Sequence, residues 1–304
     1  MSKTLCYFKG EYLEENEIYI HPLSPSTQYG LNVFEGIRGY FDTKNRCFYV
    51  LELEKHLNRL FESANKLQLK HKYSIQQIEK IIQKLLKLNQ FDEDVYFKTV
   101  LLISQKGSWS QILEADLLIV PWKLNRAFDE SKKCLNLSIS SWERISSNSM
   151  PPSVKTGANY INGRYAFLEA KSKNADLPLF LNKKGNVSES SGSCIVFIKD
   201  KTLYTPPLSA DILDSITRQF VFEFSKNMLK YNTIIKNLTL EDIRKSDEVF
   251  LCGTSIEIFP VGTIDDISFS FGEKTITNKI KNFYFKLVRN ETPHTSKFLK
   301  KIML

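Results

Sequence analysis

The amino-acid sequence predicts an α+β fold made of two domains. Residues 1–121 combine helical hydrophobic periodicity with strand-like runs, whereas residues 135–304 are dominated by short alternating strands. The segment 122–134 is polar and irregular, which is typical of an interdomain connection. A chain of 304 residues is also long for a single hydrophobic core. We therefore expect a small N-terminal α/β domain and a larger, β-rich C-terminal domain.

Two amphipathic helices are predicted in the first domain. Residues 51–69 place apolar side chains at the three- and four-residue spacing of one helix face. A second helix is expected from Ser74, a residue type that favours the N-cap position, to Asn89. Strands are predicted at 95–104 and 116–121, so helices would cover a small sheet.

The second domain is predicted to contain short strands and three helices. The predicted strands are 135–140, 179–181, 195–198 and 202–204. The predicted helices are 160–173, 215–231 and 278–288. The strands outnumber the helices, which makes this half β-rich.

Composition excludes several functional classes. The net charge is +8, but basic and acidic residues are interleaved along the chain and no nucleic-acid-binding motif appears. No run of 18 apolar residues predicts a membrane span, and the N-terminus does not read as a signal peptide. Five widely spaced cysteines without a CxxC motif predict neither a disulfide framework nor a metal site. We therefore expect a cytoplasmic protein that binds no nucleic acid, membrane or metal.

Lys155 and Glu189 are the first candidates for chemistry. Glu189 lies in the run 188–192, between two strand-like stretches. A pyridoxal phosphate (PLP) enzyme needs a lysine amine that condenses with the aldehyde and a carboxylate that keeps the pyridine nitrogen protonated. Neither residue is diagnostic alone, because the chain has 42 Lys plus Arg and 34 Asp plus Glu.

Three further features suit an anionic ligand. Residues 214–217 open a predicted helix, whose free N–H groups and dipole favour phosphate. Residues 253–255 form a glycine turn with two hydroxyls at a strand end, and Arg59 could act as a bidentate clamp. Taken singly, each has an ordinary alternative: an N-cap, a turn and a solvated surface arginine.

The motifs resemble, in their order, those of the fold-type IV aminotransferases, and most closely the branched-chain amino acid aminotransferases. The matching segments are Tyr29–Arg38 (YGLNVFEGIR), His56–Leu60 (HLNRL), Lys155–Tyr160 (KTGANY), Val187–Gly192 (VSESSG), Leu203–Leu208 (LYTPPL) with Ile212–Arg218 (ILDSITR), and Asp247–Thr254. They extend over nearly the whole chain.

The resemblance implies a PLP-dependent transaminase with its cofactor at the interface of the two domains. It would move an amino group between a branched-chain or related hydrophobic L-amino acid and 2-oxoglutarate by a ping-pong mechanism. The implied partners are these small molecules and further copies of the chain, in a homodimer or a higher homo-oligomer.

The resemblance also implies a role for each matching residue. Lys155 would be catalytic and bind the cofactor covalently. The implied cofactor-binding residues are Arg59, Lys155, Tyr160, Glu189, Leu213, Ser215, Ile216, Thr217 and Thr254. The implied substrate-binding residues are Tyr29 (from the partner subunit), Phe34, Gly36, Tyr96, Lys98 and Ser255.

Several positions depart from the branched-chain pattern. Lys98 stands where an arginine is usual and could meet a substrate side-chain carboxylate. Lysine keeps the positive charge at this position but lacks the two-pronged guanidinium group of arginine. Asn125 replaces an aromatic residue and would make the side-chain pocket more polar. Ser190, Cys194 and Gly262 replace the usual glycine, asparagine and arginine. These departures concern substrate range more than cofactor chemistry.

Other activities therefore stay open at this point. They are a D-amino acid transaminase, an aminodeoxychorismate lyase, a paralogue with another amine donor, and a non-catalytic scaffold. The segment Phe34–Arg38 argues against the first two, which favour a Gly-Asp-Gly run there. The presence of Lys155 and Glu189 argues against the scaffold.

Overall fold

The computed structural model describes residues 4–124, 128, 131–293 and 297–304. The strands are β1 (Leu5–Phe8), β2 (Glu11–Glu14), β3 (Asn32–Asp42), β4 (Cys47–Leu51), β5 (Val95–Leu102), β6 (Asp116–Lys123), β7 (Leu135–Ile139), β8 (Leu177–Leu181), β9 (Val187–Ser190), β10 (Cys194–Lys199), β11 (Thr202–Thr205), β12 (Asn232–Ile235), β13 (Glu248–Gly253), β14 (Glu257–Ile264), β15 (Ile267–Ser268) and β16 (Leu299–Met303). The helices are α1 (Pro25–Tyr29), α2 (Leu53–Lys66), α3 (Ile75–Asn89), α4 (Tyr160–Ser172), α5 (Ile216–Asn227), α6 (Leu240–Arg244) and α7 (Ile276–Val288).

The two amphipathic helices of the N-terminal half are confirmed. In α3, the Ser74 hydroxyl accepts the Gln77 N–H and the Gln77 side chain accepts the Ser74 N–H, which is a capping box. The buried residues of α2 recur at helical spacing: Leu53, His56, Leu57, Leu60, Ser63 and Ala64. Both helices pack on the first sheet, so their apolar faces form its core.

Within the described ranges, the first sheet has seven strands in the order β16-β4-β3-β5-β6-β1-β2, and all of their pairings are antiparallel. Its strand β3 was not predicted from the sequence. Nine of its eleven residues are buried, including Glu35 and Arg38, so neither alternation nor an apolar run marks it. The physical reason is that both faces of β3 are covered.

The part of the chain that the structure describes gives the second sheet nine strands, eight of them in the order β12-β11-β10-β13-β14-β7-β8-β9, with β15 paired to β14. It mixes antiparallel pairs with parallel ones, which are β11 with β12, β14 with β7, and β7 with β8. The short strands predicted for this half are confirmed, and α5 packs against both β12 and β13.

The chain does not divide at the predicted boundaries. It forms two compact units, of which the first contains Met1–Asn125, Val154–Ala158 and Lys286–Leu304, and the second Arg126–Ser153 and Asn159–Phe285. The predicted second domain, 135–304, therefore contributes two segments to the first unit. The last strand, β16, pairs antiparallel with β4, and the Phe34 N–H donates to the Lys155 carbonyl at 3.0 Å. Pairings between residues so far apart in the chain leave no periodic pattern in the sequence.

Candidate active site

The backbone around Lys155 is held by two elements of the first unit. Thr156 forms an isolated antiparallel bridge with Val33, next to the hydrogen bond between Phe34 and Lys155. The Lys155 N–H donates to the Ser63 hydroxyl of α2 at 3.2 Å. Strand β3 and helix α2 thus fix the position from which the Lys155 side chain starts.

Two lysines lie over the same aromatic ring. The Nζ atom of Lys98 is 3.1 Å from the centroid of the Phe34 ring, and the Nζ atom of Lys155 is 5.0 Å from it. Burial and the neighbouring Lys155 charge lower the pKa of Lys98 to about 8, while Glu35 acts in the opposite direction. Half-buried cations beside an aromatic face suit an anionic group attached to an apolar one.

A buried ion pair lies on the same strand. The Glu35 carboxylate accepts from Arg59 through Nε at 2.7 Å and Nη2 at 2.8 Å, and it bonds His56 Nδ1 at 2.8 Å. Burial alone would raise the pKa of Glu35, but Arg59 and His56 outweigh it and lower that pKa to about 2. Burial lowers the pKa of His56, so the neutral ring donates its Nδ1 proton to the carboxylate. Arg59 is therefore held in a fixed orientation.

Gly36 makes room for Tyr96. Gly36 is directly opposite Lys98 in the β3–β5 ladder, and Tyr96 is its diagonal neighbour. A Cβ atom at position 36 would overlap the Tyr96 hydroxyl and ring. The Tyr96 ring also packs on Trp122, with 4.9 Å between centroids. Glycine is required here because the tyrosine side chain crosses over the strand.

In the second unit, Glu189 is buried and oriented by donors on one side. Its Oε1 accepts from Arg144 through Nε at 3.1 Å and Nη2 at 2.9 Å, and from the Leu213 N–H at 3.2 Å. Its Oε2 meets the Cys194 thiol, a weak donor, at 3.8 Å. One carboxylate oxygen is therefore saturated, while the other can accept a strong hydrogen bond.

Sequence reasoning missed Arg144, although its contact with Glu189 is an ion pair between nearly buried groups. Arg144 follows Ser140–Glu143, where neither periodicity nor spacing distinguishes it from a surface arginine. Leu213, which was expected near the cofactor, contributes its backbone to Glu189.

The predicted anion-binding helix begins as expected. Ser215 is the N-cap of α5 and its hydroxyl oxygen accepts the Arg218 N–H at 3.2 Å. The N–H groups of Ile216 and Thr217 precede the first main-chain bond of the helix. Thr254 and Ser255 follow β13, against which α5 packs.

Comparison with known proteins identifies the family. The family model for class IV aminotransferases matches residues 32–264. The chain belongs to the class IV aminotransferases. The predicted motifs from Val33 to Thr254 fall within the matched region.

Proteins similar to this class IV aminotransferase match it over nearly its whole length. A probable branched-chain-amino-acid aminotransferase of Aquifex aeolicus is 30% identical, covering 98% of this chain and 96% of that protein. The crystal structure of the branched-chain aminotransferase from Thermoproteus uzoniensis with norvaline has a TM-score of 0.94 and 31% identity, covering 99% of this chain and 100% of that one. The PLP-form of the branched-chain amino acid aminotransferase from Thermobaculum terrenum has a TM-score of 0.92 and 27% identity, covering 99% of both chains. These similarities confirm the predicted fold-type IV, α+β fold class.

The remaining expected site residues of the aminotransferase lie as follows. Tyr29 ends α1 with its side chain 48% exposed, and Tyr160 begins α4 with 41% exposed. Asn125, expected to make the pocket more polar, falls outside the described residues. No helix within the described ranges has the length and hydropathy needed to span a bilayer.

Proposed function

We propose that this class IV aminotransferase uses PLP to exchange an amino group between a branched-chain or related hydrophobic L-amino acid and 2-oxoglutarate. The observation that carries the proposal is the orientation of Glu189, which is buried, ion-paired on one oxygen and able to accept a strong bond on the other. The similar enzymes named above, one with norvaline and one in its PLP-form, support the substrate and cofactor classes.

The donor set of Glu189 fits a protonated pyridine ring. A buried carboxylate oxygen whose neighbour is a thiol, a weak donor, has acceptor capacity to spare. An N–H group carrying positive charge would satisfy it with a charge-assisted bond. When bound, PLP supplies an electron-accepting ring that stabilises negative charge on the substrate α-carbon. Glu189 keeps that ring cationic.

The phosphate would be held by the start of α5 and its neighbours. The N–H groups of Ile216 and Thr217 are unused by the helix, and the helix dipole favours an anion there. The Ser215 oxygen accepts the Arg218 N–H, which leaves its own hydrogen to donate. Arg59 and Thr254 are proposed to complete the phosphate set, and Tyr160 to bond the phenolic oxygen of the cofactor.

Lys155 is proposed to bind the cofactor covalently through Nζ, and to act as the acid and base once the substrate amine has displaced Nζ from the cofactor. A neutral amine accepts a proton at Nζ and returns it, so one residue serves both half-reactions. The fixed backbone of Lys155 limits the positions that its amine can reach. This restriction favours proton movement along one path.

The substrate site is proposed to combine apolar and cationic groups. The Phe34 ring offers an apolar face to a branched side chain, while Lys98 offers a cation to the distal carboxylate of 2-oxoglutarate. Tyr96, beside Gly36, and Ser255 would complete the lining. The exposed side chain of Tyr29 supports the proposal that it completes the site of a second copy in a homodimer.

The test is a panel of amino donors with 2-oxoglutarate, using the purified protein loaded with PLP. Leucine, isoleucine and valine are expected to be the best donors, and glutamate the product. A preference for D-alanine, or cleavage of aminodeoxychorismate without an oxo-acid acceptor, would overturn the substrate assignment. Failure to bind PLP would overturn the proposed function.

A further inference from the structure

The side chain of Arg144 is held on three sides in the second unit. Its Nε and Nη2 atoms donate to Glu189 Oε1, and its Nη1 donates to the Asn162 side-chain oxygen at 3.2 Å. Its guanidinium carbon lies 5.6 Å from the centroid of the Phe180 ring. The Arg144 N–H also donates to the Leu181 carbonyl at 2.9 Å, which anchors the residue to the end of β8. Few rotamers are compatible with all of these contacts.

Asn162 ties Arg144 to helix α4. Its side-chain oxygen accepts from both Arg144 Nη1 and the Ile145 N–H, and its amide nitrogen donates to the Glu143 carbonyl at 3.0 Å. The amide therefore bonds the backbone on both sides of Arg144. A chain of hydrogen bonds runs from α4 through Arg144 to Glu189.

We infer that Arg144 is a positioning residue for Glu189, and that Asn162 in turn positions Arg144. Both Arg144 bonds to the carboxylate end on Oε1, as does the Leu213 N–H, so Oε2 is left for the ring nitrogen of the cofactor. A fixed guanidinium also stabilises the ionised carboxylate in a buried setting. The inference rests on the proposed function, because it assigns Arg144 a task only if Glu189 meets the cofactor.

The inference predicts that the effects of changing Arg144 and of changing Glu189 on PLP affinity depend on each other. Arg144→Met removes the partner of Glu189 and should weaken PLP binding roughly tenfold to a hundredfold, as expected when a charged hydrogen bond is lost. If Arg144 acts through the Glu189 charge, the same change should have little further effect in a Glu189→Gln background. Arg144→Lys keeps the charge but loses the bidentate guanidinium geometry, so its affinity for PLP should lie between those of the wild type and Arg144→Met.

The experiment titrates the apo-protein with PLP and measures the dissociation constant from the cofactor absorbance. The set comprises the wild type, Arg144→Met, Arg144→Lys, Glu189→Gln and the double variant Arg144→Met/Glu189→Gln. Arg164→Met is the matched control, because Arg164 is exposed on the same helix as Asn162. The control should bind PLP like the wild type.

Asn162→Ala provides a second test should Arg144→Met fail to fold. It should weaken PLP binding several-fold in the wild-type background and not in the Glu189→Gln background. Wild-type affinity in Arg144→Met, or losses that add in the double variants, would overturn the inference while leaving the proposed function intact. A wild-type protein that does not bind PLP would instead overturn the proposed function, and the inference with it.

Discussion

The Nζ atom of Lys98 lies 3.1 Å from the centroid of the Phe34 ring. The aromatic face attracts the cation, yet burial and the second cation at Lys155 lower the pKa of Lys98 to about 8. A desolvated lysine near another lysine is a costly arrangement, which an anionic ligand would relieve. This relationship makes Lys98 the most informative residue for substrate recognition.

Lys98→Ala is expected to lower kcat/KM for glutamate and 2-oxoglutarate much more than kcat/KM for leucine or valine. The reason is that only the dicarboxylates place a second carboxylate in a site that needs a cation. Steady-state kcat/KM for the two substrate classes measures this, with Lys98→Arg expected to keep or improve dicarboxylate use. Lys84→Ala is a matched control, because Lys84 also lies over an aromatic ring, that of Tyr12, but at an exposed position of α3. Equal losses for both classes would show that Lys98 has a structural role.

Dicarboxylate use should also depend on pH. Lys98 is charged below its pKa of about 8 and neutral above it. The ratio of kcat/KM for glutamate to that for leucine should therefore fall as the pH rises through about 8. In Lys98→Arg the ratio should stay level over the same range, because arginine remains charged. If the ratio of kcat/KM for glutamate to that for leucine also fell in Lys98→Arg, the titrating group would be a residue other than Lys98.

Gly36→Ala should impair the enzyme through Tyr96. The added methyl group would overlap the tyrosine hydroxyl and ring, so the side chain must move. Overpacking of this kind costs about 1–3 kcal/mol. The midpoint of thermal unfolding and kcat/KM should both fall, and Gly36→Ala/Tyr96→Ala should be no worse than Tyr96→Ala alone. Additive losses would mean that Gly36 serves another purpose.

Glu35 should contribute to the loss of stability in acid. Its folded pKa of about 2 is below the ordinary 4.5, so its contribution is present above pH 4.5 and is lost as the pH falls towards 2. The contribution is on the order of 3 kcal/mol. The free energy of unfolding can be measured with denaturant from neutral pH down to about pH 3. Glu35→Gln should be less stable than the wild type at neutral pH, and its free energy of unfolding should depend less on pH. Glu241→Gln, which removes one partner of an exposed ion pair, should retain the wild-type pH dependence.

Borohydride reduction of the PLP-loaded protein should attach the cofactor to Lys155. Peptide mapping of the wild type is expected to find the pyridoxyl label in the peptide that contains this residue, because its amine is the proposed attachment point. Lys155→Ala should lose the label and transamination while remaining folded. Lys98→Ala is the control and should keep the label at Lys155. A label on another lysine in the wild type would refute the assignment.

The sequence by itself determined the local elements and the family. The capping box of Ser74 and Gln77, the apolar face of α2 and the N-cap of α5 are set by residues within a turn or two of one another. Such interactions are readable because their spacing repeats along the chain. The ordered motifs likewise predicted the class IV aminotransferase family, which the family comparison confirms.

Only the tertiary structure decided how distant residues act on one another. The pairing of β16 with β4, the orientation of Glu189 by Arg144 and the passage of Tyr96 over Gly36 join positions that no local pattern links. Strand β3 was missed because both of its faces are buried and it carries Glu35 and Arg38. The physical reason is that hydrogen bonds and packing depend on separation in space, whereas periodicity records only separation along the chain.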